Sequence, residues 1–82
     1  NMITINDLKV KIIDGLNLED ITPEEIEDDM ALFGEDGLGL DSVDAIELTL
    51  TIEKEFGIKI TNMAEVESIF ASSASLLKYI ND

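Results

Sequence analysis

The side chains able to do chemistry in this chain are few in kind: nineteen Asp and Glu, five Lys, no His and no Cys. Without Cys or His there is no thiolate nucleophile, no Ser-His-Asp triad and none of the usual zinc ligand sets, which argues against acyl-transfer catalysis by the protein itself. One group stands apart. Ser42, in "GEDGLGLDSVDAIEL" (residues 34–48), follows a glycine-rich approach and falls where a helix should begin. A helix start offers unpaired N–H groups and the positive end of a dipole, so an attached phosphate is tolerated there better than elsewhere on so acidic a surface.

Three other chemistries fail on spacing. An EF-hand loop needs oxygen ligands at positions one, three and five, Gly at six and Glu at twelve. Setting Gly37 at six puts Leu32 at one, Gly34 at three and Val43 at twelve. "GLGLDS" lacks the lysine of a phosphate-binding loop and follows no strand. "GLDSV" places Val43 where a nucleophile elbow needs its second glycine, and no histidine is present to act as base. No metal site is expected.

The elements that would position Ser42 are helical. Ile5, Leu8, Ile12 and Leu16 recur at steps of three and four, with Thr4 and Asp7 at capping-box spacing, which predicts a first helix over Asn6–Asp14 stopped by Gly15. A long acidic connection follows. Within it "TPEE" predicts one turn capped by Thr22 with Glu25 as reciprocal partner, and Met30, Leu32 and Phe33 are expected to pin the loop to the core. The glycine-rich end of this connection is read as a flexible approach to Ser42.

The main helix is expected from Asp41 or Ser42 to Phe56, ended by Gly57. It carries two apolar stripes. Ala45, Leu48, Ile52 and Phe56 are assigned to the core, and Val43, Ile46 and Leu50 form a second stripe flanked by Asp44 and Glu47. One stripe about 100° wide suffices to bury a surface helix, so the second is a candidate docking face, apolar at its centre and acidic at its rim. Beyond it, Asn62 and Glu65 suggest another capping box before a helix of one or two turns, with Ile58, Ile60, Val66 and Ile69 as core contacts. A last helix from Ser72 or Ser73 to Tyr79 or Ile80 turns Leu76, Leu77 and Ile80 inwards. No β-hairpin signal appears. The fold class is all-α: a small antiparallel four-helix bundle with a short third helix and a long first loop.

Residues 2–82 are expected to form one domain, with Asn1 a tag remnant. A formal net charge of −14 disfavours nucleic acid and anionic lipid surfaces and favours basic protein partners, whose binding should weaken with salt. No apolar run approaches the ~20 residues of a membrane span, and no signal segment is evident, so a cytoplasmic protein without stable membrane insertion is expected.

Taken together, "ITPEEI", "LGLDSVDAIEL", "IEKEFGIKI" and the terminal "LLKYI" resemble acyl carrier proteins over nearly the whole chain. That resemblance implies a monomeric carrier rather than an enzyme. Ser42 would receive 4'-phosphopantetheine from coenzyme A through a Mg²⁺-dependent phosphopantetheinyl transferase, and the arm's thiol would hold acyl groups as thioesters, supplying the sulfur that a cysteine-free chain lacks. It further implies that Asp41 helps seat the transferase, and that Val43, Asp44, Ile46, Glu47 and Leu50 dock acyltransferase, ketosynthase and related enzymes of fatty acid, polyketide or other lipid biosynthesis through their basic patches. Glu65 would join them, although Asn62 and Met63 depart from the family pattern beside it. Ala45, Leu48, Ile52 and Phe56 would line the acyl pocket. Lys54, and "SSAS" at residues 72–75, are further departures. Two other readings remain at this point: an aminoacyl or D-alanyl carrier, and an acidic interaction module with no prosthetic group.

Overall fold

The computed structural model of the protein describes residues 2–61 and 63–82. Four helices follow one another: α1 (Ile5–Leu16), α2 (Ser42–Phe56), the short α3 (Val66–Ile69) and α4 (Ser73–Asn81). Single 3-10 turns sit at Pro23–Glu25 in the long connection and at Met63–Glu65 ahead of α3. No strand occurs among the described residues, in keeping with the all-α reading.

The start of α1 is as the sequence predicts: the Thr4 hydroxyl accepts the Asp7 N–H at 3.1 Å and the Asp7 carboxylate accepts the Thr4 N–H at 3.3 Å. Its end is not. The helix runs past Gly15 to Leu16, and Asn17 closes it in the left-handed conformation with φ 56°. Gly15 serves packing instead, because a Cβ there would collide with the Thr51 side chain of α2. The glycine lets α1 and α2 approach closely, and the Lys11–Glu55 ion pair at 3.2 Å bridges the same two helices.

Leu8 and Ile12 of α1, Leu48 and Ile52 of α2, and Leu76 of α4 are fully buried, joined by Ile69, Phe70 and Ile80. Burying a side chain of this size contributes roughly 1.5 to 3 kcal/mol, and these residues hold the helices together. Ile5, read as part of the α1 stripe, is only half-buried. Lys9 lies deeper, with its ammonium donating to Asp28 at 2.7 Å. The two chain ends are also tied: the Asn81 side-chain amide accepts from the Ile3 N–H at 3.0 Å and donates to the Ile3 carbonyl at 3.1 Å.

The connection over residues 17–41 is long for a small domain, yet it lies against the core throughout. Ile26, Leu32 and Leu40 are buried, with Phe33 half-buried among them. Main-chain bonds fix its course: the Leu32 N–H donates to the Ala71 carbonyl at 3.2 Å, and Ala74 N–H to the Asp28 carbonyl at 3.0 Å. The radius of gyration, 11.4 Å, matches the ~11.7 Å expected of a compact chain of this length, so the loop is not splayed outwards. Thr22 is the N-cap of the Pro23–Glu25 turn with Glu25 as its reciprocal partner, as the sequence reading has it. Glu25 accepts from both the Thr22 N–H (3.3 Å) and its hydroxyl (3.2 Å). The proposed Asn62 cap lies outside the described residues.

Candidate functional site

The site is built from the last residues of the loop and the first turn of α2. Leu40 is buried and donates to the Leu32 carbonyl at 3.1 Å, while accepting from the Gly34 N–H at 3.3 Å. The approach to Ser42 is therefore held in place, contrary to the flexible segment that its glycines suggested. Gly39 turns the chain with φ +89°, a conformation that L side chains rarely adopt, and so delivers Asp41 to the helix start.

Asp41 is the N-cap. Its Oδ1 accepts the N–H groups of Val43 (3.0 Å) and Asp44 (3.1 Å), and the Asp44 Oδ2 accepts the Asp41 N–H at 2.9 Å. This reciprocal box satisfies two of the helix's free donors. Ser42 is consequently not the cap but the first helical residue, exposed, and its hydroxyl takes part in no hydrogen bond recorded among the described residues. An exposed serine spared from capping is a hydroxyl available for a covalent bond. Because Asp41 already takes two N–H groups, the positive helix end offers an attached phosphate less than an uncapped helix would.

The two stripes of α2 separate as their spacing requires. Leu48 and Ile52 are fully buried, and Ala45 and Phe56 half-buried. Val43, Ile46 and Leu50 remain 65%, 63% and 54% exposed, an apolar row starting one residue after Ser42. Its acids are disposed differently. Glu47 is exposed and unpaired, whereas the half-buried Asp44 spends one oxygen on the cap. None of Asp41, Asp44, Glu47 and Glu65 forms an ion pair among the described residues, while three of the lysines pair elsewhere. The neighbourhood of Ser42 therefore keeps its negative field. Lys54, exposed and in no ion pair among the described residues, follows the apolar row one turn beyond Leu50.

Beside the first turn of α2 lies an apolar cavity of about 390 Å³, walled by Phe33, Ala45, Val66, Phe70 and Ala71, with Glu67 at its edge. Of the four residues assigned to an acyl pocket, Ala45 alone lines it. Leu48 and Ile52 project into the filled core, and Phe56 borders a separate hollow with Ile3, Ile58 and Ile80. The sequence reading overlooked Phe70 altogether and counted Phe33 and Val66 only as core or loop plugs. Their contribution depends on the loop folding back across α3, which no local periodicity reports. No group of three or more acidic side chains among the described residues could hold a metal ion.

Comparison with known proteins agrees with this geometry. The profile of the "Phosphopantetheine attachment site" family matches residues 16–80, from the end of α1 through α4. An acyl carrier protein of Wolinella succinogenes is 35% identical over 79 residues, covering 96% of this chain and 95% of that one. One of a Sulfurovum species is 33% identical over 81 residues, covering 99% of each. The chain belongs to the acyl carrier protein family. Its cofactor is 4'-phosphopantetheine, which sets aside the reading of an acidic module without a prosthetic group. In this carrier the family match spans every element that frames Ser42, and an exposed, uncommitted hydroxyl is the chemistry that covalent attachment needs.

Proposed function

We propose that Ser42 is the attachment point of the arm and that the protein is a carrier, not a catalyst, presenting thioester-bound acyl groups to enzymes of lipid or polyketide assembly. The observation that supports this most is the division of labour at the start of α2: Asp41 caps the helix, and the Ser42 hydroxyl is left exposed and unbonded.

In the loading step the Ser42 oxygen forms a bond to the phosphorus that bears the pantetheine portion of coenzyme A. The phosphoanhydride bond breaks, adenosine 3',5'-bisphosphate leaves, and a transferase takes the serine proton. The chain's part is to hold the hydroxyl outward on a rigid first turn. The transferase supplies the base and Mg²⁺, because no histidine lies in the chain to act as one. The attached arm then supplies the thiol on which acyl groups are held. The row of Val43, Ile46 and Leu50 is the surface on which partner enzymes rest, with Glu47 and Glu65 meeting basic residues at its rim. Acyl cargo is in keeping with the apolar walls beside Ala45, formed by Phe33, Val66, Phe70 and Ala71.

Incubation with coenzyme A, Mg²⁺ and a phosphopantetheinyl transferase should add one arm to the wild type and none to Ser42→Ala, read by intact mass. An unchanged wild-type mass would overturn the proposal.

A further inference from the structure

The exposed row of α2 ends on a cation. Lys54 stands four positions after Leu50, exposed and in no ion pair among the described residues, on a chain where acids outnumber lysines nineteen to five. Its own helix offers it no partner. The positions three and four away hold Leu50, Thr51, Gly57 and Ile58, and those are the spacings at which helical side chains meet. In the hollow between α1 and α2 that Lys54 borders, Lys11 and Glu55 are paired with each other at 3.2 Å, and neither Asp14 nor Glu47 forms an ion pair with it.

Lys54 follows Glu47 by seven positions. That is within ~20° of two full helical turns, so the two charges face the same way about 10 Å apart along the axis, with Leu50 between them. Exposed charges are screened from each other beyond ~8 Å at physiological ionic strength, so these act as two poles rather than cancelling. Towards Ser42 the docking face is negative, since Asp41, Asp44 and Glu47 form no ion pair among the described residues. At its foot, about 18 Å along the axis from Ser42, it is positive.

A partner surface that is basic throughout satisfies Glu47 but sets like charge against Lys54, and like charges brought together suppress association. A surface with a basic residue opposite Glu47 and a carboxylate opposite Lys54 satisfies both poles. It also fits in one direction only.

Resting on the reading that Val43, Ile46 and Leu50 form the docking row, we propose that Lys54 is a specificity-determining residue that pairs with an Asp or Glu on the enzymes this carrier serves. The matching enzyme surface has an apolar seat for Leu50, a Lys or Arg opposite Glu47 on the side nearer its catalytic entrance, and the carboxylate about 10 Å farther away. The pair fixes how the carrier lies on the enzyme and disfavours enzymes whose docking patch carries only basic residues. Lys54 also stands in the last turn of α2, where a cation complements the helix dipole. That role bears on stability and is indifferent to the partner's charge, so the two are separable.

The test is carbodiimide cross-linking of the arm-bearing carrier to a ketosynthase that accepts acyl groups from it, with mass mapping of the joined peptides. An amine and a carboxylate in contact become an amide, the carbodiimide taking up the water that is lost. Lys54 should be joined to an Asp or Glu of the enzyme. Joined peptides that contain only α2 carboxylates and enzyme lysines would overturn the proposal, whereas none from α2 at all would overturn the docking reading beneath it. In transfer assays at low salt, Lys54→Glu should lower kcat/KM about tenfold and Lys54→Gln about threefold, while Lys54→Arg stays within about twofold. Changing the cross-linked enzyme acid to Lys should bring Lys54→Glu back to within about threefold of the native pair. Melting temperatures of the same variants report the dipole contribution separately. A Lys54→Glu carrier that transfers as well as the wild type, or one that the charge-swapped enzyme does not rescue, would contradict the proposal. If Ile46→Ala impairs transfer while Lys54→Glu does not, the docking row stands and Lys54 has no part in it.

Discussion

Two serines occupy the same place in two helices and have opposite fates. Ser42 and Ser73 are each the first residue of a helix, each preceded by an N-cap whose reciprocal box is complete, Asp41 with Asp44 and Ser72 with Ser75. Ser42 is exposed. Ser73 is fully buried, and its hydroxyl has no hydrogen-bond partner among the described residues. The difference lies outside the local sequence: the long loop crosses the start of α4, where Ala74 bonds to the Asp28 carbonyl and Ala71 to the Leu32 N–H, whereas Ser42 at the start of α2 is left exposed. Local capping releases a first-turn serine from structural duty, and tertiary cover decides whether that serine can be used.

The comparison can be broken in order of effect. Ser42→Ala should lose arm addition completely while melting within a few degrees of the wild type, since an exposed hydroxyl with no partner contributes little to stability. If it unfolds the domain, the claim that Ser42 has no structural task is wrong. On the docking side, Ile46→Ala or Glu47→Lys should lower kcat/KM for transfer to a partner enzyme about tenfold, or ~1.4 kcal/mol, with the helical circular dichroism unchanged. The Glu47→Lys effect should shrink as salt rises, because exposed charges are screened beyond ~8 Å at physiological ionic strength.

Smaller effects probe the framework on which each serine stands. Asp28→Asn should cost ~1 to 2 kcal/mol in urea unfolding, because it strands the buried Lys9 ammonium beneath the loop that covers Ser73; the exposure of Asp28 keeps the cost below that of a fully buried pair. Asp41→Ala should cost ~1 kcal/mol through the lost cap, and Asp41→Asn only a few tenths. If Asp41→Asn keeps its stability yet loads slowly, the carboxylate's charge also serves the transferase. Finally, Ser73→Ala should leave loading untouched and raise stability by ~0.5 to 1 kcal/mol, a few degrees in melting temperature, by removing a buried hydroxyl with no partner. A fall in stability would show that Ser73 Oγ is satisfied after all.

Much of this was legible in the residues. The capping box at Thr4, the Gly57 stop and the two stripes of α2 all follow from spacings within one helix, where a side chain's neighbours are three and four positions away. What escaped depended on contacts distant in sequence. Gly15 looked like a stop because its role, the approach of Thr51, lies on another helix. Lys9 carries no local sign of its burial, because its aliphatic stem lies on the core while its charge reaches Asp28. At the site, Ser42 and the exposed row were readable, but Leu48, Ile52 and Phe56 do not line the cavity beside Ala45. Two of the cavity's walls, Phe33 and Phe70, are brought together only when the long loop folds back.

The central claim is that one serine, exposed and free of capping, takes the arm. Fragment mapping by mass spectrometry of protein loaded with coenzyme A and a phosphopantetheinyl transferase tests it at the level of the residue. The expected result is a single modified peptide with the added phosphodiester on Ser42 and unmodified Ser68, Ser72, Ser73 and Ser75. An arm found on any other serine, or none on Ser42, would contradict it.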